Sequence, residues 1–363
     1  MSEQLKAAIE TKLAALQDVY LEKPLTESGA VSSLTIEDGN VQLGVTLGYA
    51  AGDYCGQLQQ QIEAILAGTE GMTTLTVSVT QTIQAHAVQR SLKRIGQVKN
   101  IIAVASGKGG VGKSTTSVTL ALALAVDGAK VGILDADIYG PSQPRMLGIK
   151  GRPESNDGST LEPMENHGVK AMSMGFLVEE ETPMIWRGPM VTQALEQMLR
   201  DTNWGELDYL VIDLPPGTGD TQLTLSQKIP VSGAVIVTTP QDIALLDAKK
   251  GLAMFEKVQV PVLGVIENMS IHICSQCGHA EPIFGEGGGQ RMSEDHDVSF
   301  LGALPLEMSI REQADGGNPS VVAHPGTEVS KRYHDIARRL SAKLAEQARD
   351  YSSKFPNIVI QNT

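Results

Sequence analysis

Residues 100–115 read NIIAVASGKGGVGKST, and this stretch decides the fold class. Its first part, Ile101–Val104, is a short continuous apolar run, which is typical of a strand buried on both faces of a parallel sheet. A glycine-rich turn follows from Ser106 to Gly112, and a helix begins after it. This order predicts a phosphate-binding site at the end of a buried parallel strand.

Two phosphate-binding patterns overlap in the turn. Three glycines match the dinucleotide pattern G-x-G-x-x-G: Gly107, Gly109 and Gly112. Asp135 ends the next apolar run, where an acidic residue would hold a ribose. Residues 107–114 also match the P-loop pattern, in which Lys113 reaches the β- and γ-phosphates and Ser114 binds Mg²⁺. We favour the P-loop, because a dinucleotide site requires neither residue. The predicted nucleotide contacts are Gly107, Lys108, Gly109, Gly110, Val111, Gly112, Lys113, Ser114 and Thr115.

Four further apolar runs have the same character: 131–134, 209–212, 234–237 and 262–266. Helical segments alternate with them, so we predict an α/β fold with a doubly wound, mainly parallel sheet over residues 100–350. The last helix is expected at 326–350. We interpret it as a docked helix with a solvated basic face, formed by Lys331, Arg332, Arg338, Arg339 and Lys343, rather than as a membrane-binding helix.

Residues 1–82 predict a small α+β domain. Helical spacing of apolar residues extends to Tyr20, so Pro24 is expected to end the first helix. Apolar residues alternate from Val41 to Leu47, and the turn-forming Asp38-Gly39-Asn40 precedes them, which predicts a hairpin over 31–49. A helix over about 56–67 and a further strand follow. The remaining segments are a polar, basic linker at 83–99 and a tail at 351–363.

The composition and net charge of the chain disfavour several classes of function. The chain has 363 residues and a net charge of −13, which disfavours binding to nucleic acid or to anionic membranes. No apolar run is long enough for a transmembrane helix, and the first residues lack the apolar core of a signal peptide. Three cysteines are too few for a disulfide scaffold, so we expect a reducing, cytoplasmic setting.

Acidic residues follow two of the predicted strands. Asp135 and Asp137 come after the run 131–134, and Asp213 ends the run 209–212 before the glycine- and proline-rich residues 214–220. A carboxylate at the end of a buried strand is where a nucleotide site holds its magnesium shell, and the loop after it is a candidate switch. The predicted magnesium residues are Ser114, Asp135 and Asp213. Asp137 and Asp220 have helix capping as the alternative role.

Cys274 and Cys277 form a C-x₂-C pair, whose thiolates can reach one metal centre. A redox disulfide is disfavoured, because no thioredoxin-like helix follows the pair. A zinc site needs four ligands, and the neighbouring His272 and His279 lie very close in sequence to the two cysteines. A two-fold dimer would supply four cysteines, which suits either a bridging [4Fe–4S] cluster or a bridging zinc ion.

Two family resemblances point to a more specific function. The segment 108–114 (KGGVGKS) resembles the deviant Walker A loop of the ParA/MinD/nitrogenase-iron-protein class, whose members act as dimers. Residues 95–345 resemble the Mrp/ApbC family of iron–sulfur cluster carriers. The motifs that carry this resemblance are LDADIYGPSQPRMLG (134–148), IDLPPGTGD (212–220), TTPQDIALLDAKKG (238–251), GVIENMS (264–270) and CSQCGHAEPIFGEGGG (274–289).

The resemblance implies a homodimeric ATPase that receives [4Fe–4S] clusters from an assembly scaffold and delivers them to apoproteins. It implies that Cys274 and Cys277 are the cluster ligands and that Lys108 reaches the nucleotide of the partner subunit. It also implies that Asp137 orients the attacking water and that Asn268 contacts the adenine. For Asn268 a simple turn position is the alternative.

The N-terminal domain resembles the small domain of iron–sulfur assembly proteins, but the D-P-E-type motif of that domain is only partly matched by residues 19–26. We interpret Cys55 as a buried small apolar residue. Three other functions remain open: a ParA/MinD-like positioning ATPase with structural or zinc-binding cysteines, a nicotinamide-dependent oxidoreductase, and a zinc-bridged scaffold.

Overall fold

The computed structural model describes residues 2–89, 92–178, 188–274 and 276–350. Two separate sets of buried apolar side chains form the cores of two units. One core belongs to the N-terminal residues, and the other surrounds the strand that precedes the P-loop. The predicted tail at 351–363 and residues 90–91 of the predicted linker lie outside the described residues.

The N-terminal unit packs two helices against a three-stranded sheet of order β3-β4-β5. Its elements are α1 (Ser2–Ala14), β1 (Gln17–Asp18), β2 (Lys23–Pro24), β3 (Val31–Glu37), β4 (Asn40–Leu47), α2 (Tyr54–Leu66) and β5 (Thr74–Gln81). The predicted hairpin is confirmed, because β3 and β4 pair antiparallel around Asp38 and Gly39. Both turn residues have positive φ, which explains the Asp-Gly sequence. β5 then pairs parallel to β4.

The predicted extent of the first helix is wrong. α1 ends at Ala14, and β1 turns back onto β2 before Pro24. The cause is Asp18, a fully buried carboxylate that accepts hydrogen bonds from the backbone N–H groups of Tyr20 and Leu21 and from the Tyr49 hydroxyl. This local turn satisfies a buried charge, and it outweighs the helical spacing that Tyr20 shares with α1.

The second unit is an eight-stranded sheet of order β15-β12-β11-β6-β10-β7-β9-β8, in which all neighbours are parallel except β8 and β9. The predicted doubly wound, mainly parallel fold is confirmed. Its strands are β6 (Val98–Ala105), β7 (Val131–Asp135), β8 (Met164–Asn166), β9 (Val169–Ser173), β10 (Leu207–Asp213), β11 (Gly233–Thr238), β12 (Val262–Glu267) and β15 (Phe300–Ala303). A separate two-stranded hairpin is formed by β13 (His272–Ile273) and β14 (Ala280–Glu281).

Helices cover both faces of this sheet. They are α3 (Lys113–Val126), α4 (Gln143–Met146), α5 (Gly188–Asp201), α6 (Asp220–Lys228), α7 (Asp242–Lys257), α8 (Gly288–Asp295), α9 (Met308–Asp315), α10 (Ser320–Ala323) and α11 (Glu328–Ala345), with a 3₁₀ turn at Met174–Phe176. The carboxyl ends of the central strands meet at one edge of the sheet. That edge is where open α/β sheets bind ligands, and it gathers the predicted site residues.

The segment between the two units contributes buried groups. Ile83, His86 and Gln89 are buried, and β6 already begins at Val98, inside the predicted linker of 83–99. The His86 ring and backbone N–H both contact the Asn100 side chain. This segment therefore packs on the second unit along much of its described length.

The basic face predicted for the last helix is wrong at one residue. Arg338 on α11 is buried and donates from Nε and Nη2 to both carboxylate oxygens of Asp127, each across 2.8 Å. Asp127 ends α3, and the same guanidinium reaches Asp53 of the N-terminal unit and the Tyr20 hydroxyl. One arginine therefore ties α3, α11 and the N-terminal unit together. In the described part of the chain, no helix is both long enough and apolar enough to cross a membrane.

Candidate functional site

The glycine-rich turn has the backbone that a phosphate cradle requires. Gly110 and Gly112 have φ near +80°, a region that favours glycine. A Cβ on Gly107 would lie 2.2 Å from the backbone of Asp247, so this position has no room for a side chain. α3 begins at Lys113, directly after Gly112, and no side chain caps its first turn. Its first N–H groups are therefore available to an anion.

Lys113 and Asp213 form a buried ion pair with 2.5 Å between Nζ and Oδ1. The same Asp213 oxygen accepts a hydrogen bond from the Ser117 hydroxyl at 2.8 Å, and Lys113 also contacts the Ser114 hydroxyl at 3.1 Å. The P-loop lysine, the P-loop serine and the acidic strand end thus meet at one point. A phosphate that attracts Lys113 competes with Asp213 for it.

The loop that follows β10 lies against the P-loop. The backbone N–H of Gly217 donates to the Ser106 carbonyl at 3.0 Å, and that of Leu214 donates to the Val104 carbonyl at 3.0 Å. Gly217 has a φ of +103°. The predicted switch segment is therefore hydrogen-bonded to the backbone that leads into the phosphate loop.

Asp135 lies beside Asp213 in the register of β7 and β10, and both carboxylates are buried. Burial and the neighbouring negative charge of Asp213 raise the pKa of Asp135. Its oxygens already accept four hydrogen bonds, from the N–H groups of Asp137, Ser142 and Gln143 and from the Ser173 hydroxyl. These donors make Asp135 the anchor of the loop that carries Asp137.

The other two predicted catalytic residues lie at the open side of this site. Asp137 is half-buried, and burial raises its pKa although Lys113 opposes that effect. Its carboxylate accepts hydrogen bonds from the backbone N–H groups of Gly140, at 3.3 Å, and Tyr139. Lys108 is half-exposed on the phosphate loop, where its carbonyl accepts a hydrogen bond from the Ser106 hydroxyl. The catalytic roles predicted for Asp137 and Lys108 stay predictions.

Asn268 is placed against the phosphate loop itself. It is buried, and its Nδ2 donates to the Val111 carbonyl at 2.9 Å. A Cβ on Gly112 would lie 2.1 Å from the same amide nitrogen. The Asn268 amide therefore holds the phosphate loop, and the contact with the adenine that the resemblance implies stays a prediction.

The cysteine pair lies in the exposed turn between β13 and β14. The Cys274 N–H donates to the His279 carbonyl, and the Gly278 N–H donates to the Cys274 carbonyl, which closes a tight turn. Backbone N–H groups of Gln276 and Cys277 bond the Cys274 sulfur and lower its pKa, which favours the thiolate that binds metals. Cys277 is exposed, and both thiols are free.

Protein ligands beyond these two thiols are not assembled in the described chain. No group of three or more His, Cys, Asp or Glu side chains there is arranged to hold a metal ion. The ring of His272 is engaged by the Leu306 carbonyl at 3.1 Å from Nδ1. Ile273 in β13 and Ile283 shortly after β14 are exposed large apolar side chains of the cysteine hairpin and the residues after it, and Ile243 and Leu246 on α7 and Met308 on α9 are exposed as well.

Three residues of the site were not predicted from the sequence. Gln143 bonds both buried carboxylates, Ser117 bonds Asp213 and Ser173 bonds Asp135. Ser117 lies one helical turn after Lys113, so its spacing was a usable signal. The loop after β7 brings Gln143 to the site, and the pairing of β9 with β7 brings Ser173 there. Neither arrangement produces a periodic pattern in the sequence.

Comparisons with known proteins agree with this geometry. Residues 97–341 match the ParA family model described as NUBPL iron-transfer P-loop NTPase, and residues 6–79 match that of an iron–sulfur cluster assembly protein. The chain is 50% identical over 343 residues to the iron–sulfur cluster carrier protein of Escherichia coli strain K12, covering 94% of this chain and 93% of the relative. It is 54% identical over 254 residues to the mouse iron–sulfur cluster transfer protein NUBPL, covering 69% and 80%.

A solved structure shares the fold of the second unit. The nucleotide-binding protein of Archaeoglobus fulgidus, solved in complex with ADP, is 38% identical and aligns with a TM-score of 0.55. The alignment covers 64% of this chain and 90% of that one.

Proposed function

The chain belongs to the family of NUBPL iron-transfer P-loop NTPases, and we propose that it is an iron–sulfur cluster carrier that binds and hydrolyses ATP as a homodimer. The observation that carries the proposal is the continuity of the two sites. Asn268 holds the phosphate loop, and the same connecting segment runs on through His272 to Cys274. Nucleotide and cluster ligands thus share one edge of the sheet.

Membership of a P-loop NTPase family supports ATP as the ligand. The nicotinamide alternative fails, because the matched family is defined by the P-loop and the relatives are named as cluster carriers. In our proposal Gly107–Gly112 and the start of α3 cradle the phosphates, and Lys113 leaves Asp213 for the β- and γ-phosphates. Thr115 adds its N–H within the first helical turn.

The donor set fits magnesium, which prefers oxygen ligands. The Ser114 hydroxyl and an oxygen of Asp213 would hold Mg²⁺, and Asp135, whose oxygens are already engaged, would shape the adjoining loop. With ATP bound, Mg²⁺ neutralises charge on the phosphate oxygens. Asp137 orients the attacking water, because it is the half-buried carboxylate at the open side of the site.

The cluster is the cargo, and we propose that Cys274 and Cys277 hold it. Two thiolates are half of the ligand set of a [4Fe–4S] cluster, so the cluster needs two more from a second chain. A two-fold axis beside the cysteine turn provides them. The exposed apolar side chains Ile273 and Ile283, in and shortly after the cysteine hairpin, support burial against a second copy.

Nucleotide controls the cargo in this proposal. Lys108, half-exposed on the phosphate loop, crosses to the partner's nucleotide and so favours a closed dimer. Hydrolysis removes that contact and loosens the four-cysteine site, because a ligand shifts a conformational equilibrium only through its differential contacts. An assembly scaffold supplies the cluster and apoproteins receive it. We place these events in the cytoplasm.

Cluster transfer tests the proposal directly. The chain is loaded with a [4Fe–4S] cluster under anaerobic conditions, purified from free iron, and mixed with an apoprotein that is active only with such a cluster. Activation that persists in the presence of an iron chelator, and that changes rate with MgATP, is expected. Activation abolished by the chelator means release of free iron, and it would contradict a carrier.

A further inference from the structure

Gln143 has the burial and contacts of a functional residue, although the P-loop pattern assigns it no role. Its side chain is fully buried beneath the phosphate loop. Its Nε2 donates to Asp213 Oδ2 at 2.9 Å and to the Ser114 carbonyl at 3.2 Å. Its backbone N–H donates to Asp135 Oδ2 at 3.1 Å. One residue therefore contacts the P-loop helix, the β10 carboxylate and the β7 carboxylate.

The amide orientation follows from its partners. A carboxylate and a carbonyl both accept hydrogen bonds, so the atom that faces them is the NH₂ group. That assignment leaves Oε1 as a buried acceptor for which the described chain provides no donor. An unsatisfied buried acceptor is costly, and beside a nucleotide site a bound water is the natural donor.

The two carboxylate oxygens of Asp213 have different partners: a phosphate can withdraw a partner of one oxygen, whereas the partner of the other stays in place. Oδ1 is held by Lys113 and Ser117, and Lys113 is the partner that a phosphate withdraws. Oδ2 is held by Gln143, whose own backbone is fixed by Asp135. When Lys113 turns to the nucleotide, Gln143 remains to hold the carboxylate in place.

We propose that Gln143 is a positioning residue for the divalent cation of the nucleotide site. Its Nε2 fixes the orientation of Asp213 toward the cation, and its Oε1 accepts a hydrogen bond from a water ligand of that cation. The proposal rests on the function proposed above and assigns a role that the P-loop pattern does not contain.

Equilibrium binding of a non-hydrolysable ATP analogue, measured with Mg²⁺ and with EDTA, tests this role. Gln143→Met keeps the length and removes both polar atoms. We expect affinity with Mg²⁺ to fall about tenfold, because a hydrogen bond to a charged acceptor is lost, while affinity in EDTA changes less than about twofold. The half-saturating Mg²⁺ concentration should rise to a similar extent.

Gln89 offers a matched control. It is also buried, and its Oε1 also lacks a partner in the described chain. Its Nε2 likewise donates to two acceptors, here the backbone carbonyls of Ser226 and Ile229. It makes no contact with either carboxylate. Gln89→Met should therefore leave both affinities unchanged, even if it lowers the melting temperature as much as Gln143→Met does.

The outcomes are distinct. Equal losses with Mg²⁺ and with EDTA, or behaviour identical to Gln89→Met, would overturn the role of Gln143 while leaving the carrier function intact. A wild-type chain that binds the analogue equally well with Mg²⁺ and with EDTA would overturn both the role of Gln143 and the proposed magnesium site. If Gln143→Met does not fold, Gln143→Asn keeps the amide but draws it back by one methylene, and the same selective loss with Mg²⁺ is expected.

Discussion

Asn268 and Val111 connect the cargo site to the phosphate site through one hydrogen bond, from Nδ2 to the backbone carbonyl across 2.9 Å. Val111 lies within the phosphate loop, and the chain leads from Asn268 into the hairpin that carries Cys274. In our proposal a change of loop conformation on nucleotide binding reaches the hairpin through this buried polar contact. The link would explain how cluster transfer responds to ATP.

Breaking this link should uncouple the two sites. Asn268→Leu fills similar volume but cannot donate to Val111. We expect the variant to hold as much cluster as the wild type, because the cysteine turn is closed by its own backbone bonds. The stimulation or inhibition of cluster transfer by MgATP should disappear. Transfer kinetics with and without MgATP measure this, and an unchanged nucleotide effect would exclude the coupling.

Lys113→Gln should separate nucleotide binding from cargo binding. The variant loses the cation that meets the phosphates, so ATP affinity should fall at least about tenfold. Iron and sulfide content after reconstitution should stay at the wild-type value. Lys130→Gln is the control, because exposed Lys130, just before β7, pairs with exposed Glu206 at the opposite end of the parallel strands from the phosphate loop. A Lys113 variant with normal ATP affinity would be incompatible with the proposed phosphate site.

Arg338→Met should strongly destabilise the protein. Asp127 would stay buried without its principal partner, and breaking a buried ion pair costs about 3–5 kcal/mol of the free energy of unfolding. Arg332→Met on the exposed face of the same helix should cost less than about 0.5 kcal/mol. Urea unfolding compares the two variants. Equal losses of unfolding free energy in the two variants would mean that the buried arginine contributes no more to stability than the exposed one.

The Asp127 cluster also predicts a pH dependence. Burial by itself would raise the pKa of Asp127, but hydrogen bonds from His334 and Arg338 prevail and lower it. Because the pKa of Asp127 is lower in the folded than in the unfolded chain, its carboxylate stabilises the fold fully above about pH 4. This contribution is lost as the pH falls through the pKa of the folded state. The difference in unfolding free energy between wild type and Asp127→Asn should therefore shrink below about pH 4. A difference that stays constant down to about pH 2 would refute this role of Asp127.

The elements that could be predicted from the sequence are those that depend on hydrophobic periodicity or on the fixed residue spacing of a motif. Continuous apolar runs such as Ile101–Val104 indicated the parallel sheet, and the spacing of Lys113 and Ser114 indicated the phosphate loop. Prediction failed where a single buried charge overrides a periodic pattern. Asp18 ends the first helix early, and Arg338 turns inward from a face that reads as solvated. Gln143 was also missed, because its role depends on which strands become neighbours.

The measurement that tests the carrier function most directly is the iron, acid-labile sulfide and zinc content of anaerobically reconstituted protein. We predict about two iron and two sulfide per chain, as expected for one [4Fe–4S] cluster shared by two chains. Cys274→Ala and Cys277→Ala should each lose both, whereas Cys55→Ala should retain them, because Cys55 lies half-buried in the N-terminal unit. Zinc alone, or iron that survives the loss of Cys274 and Cys277, would contradict the carrier function.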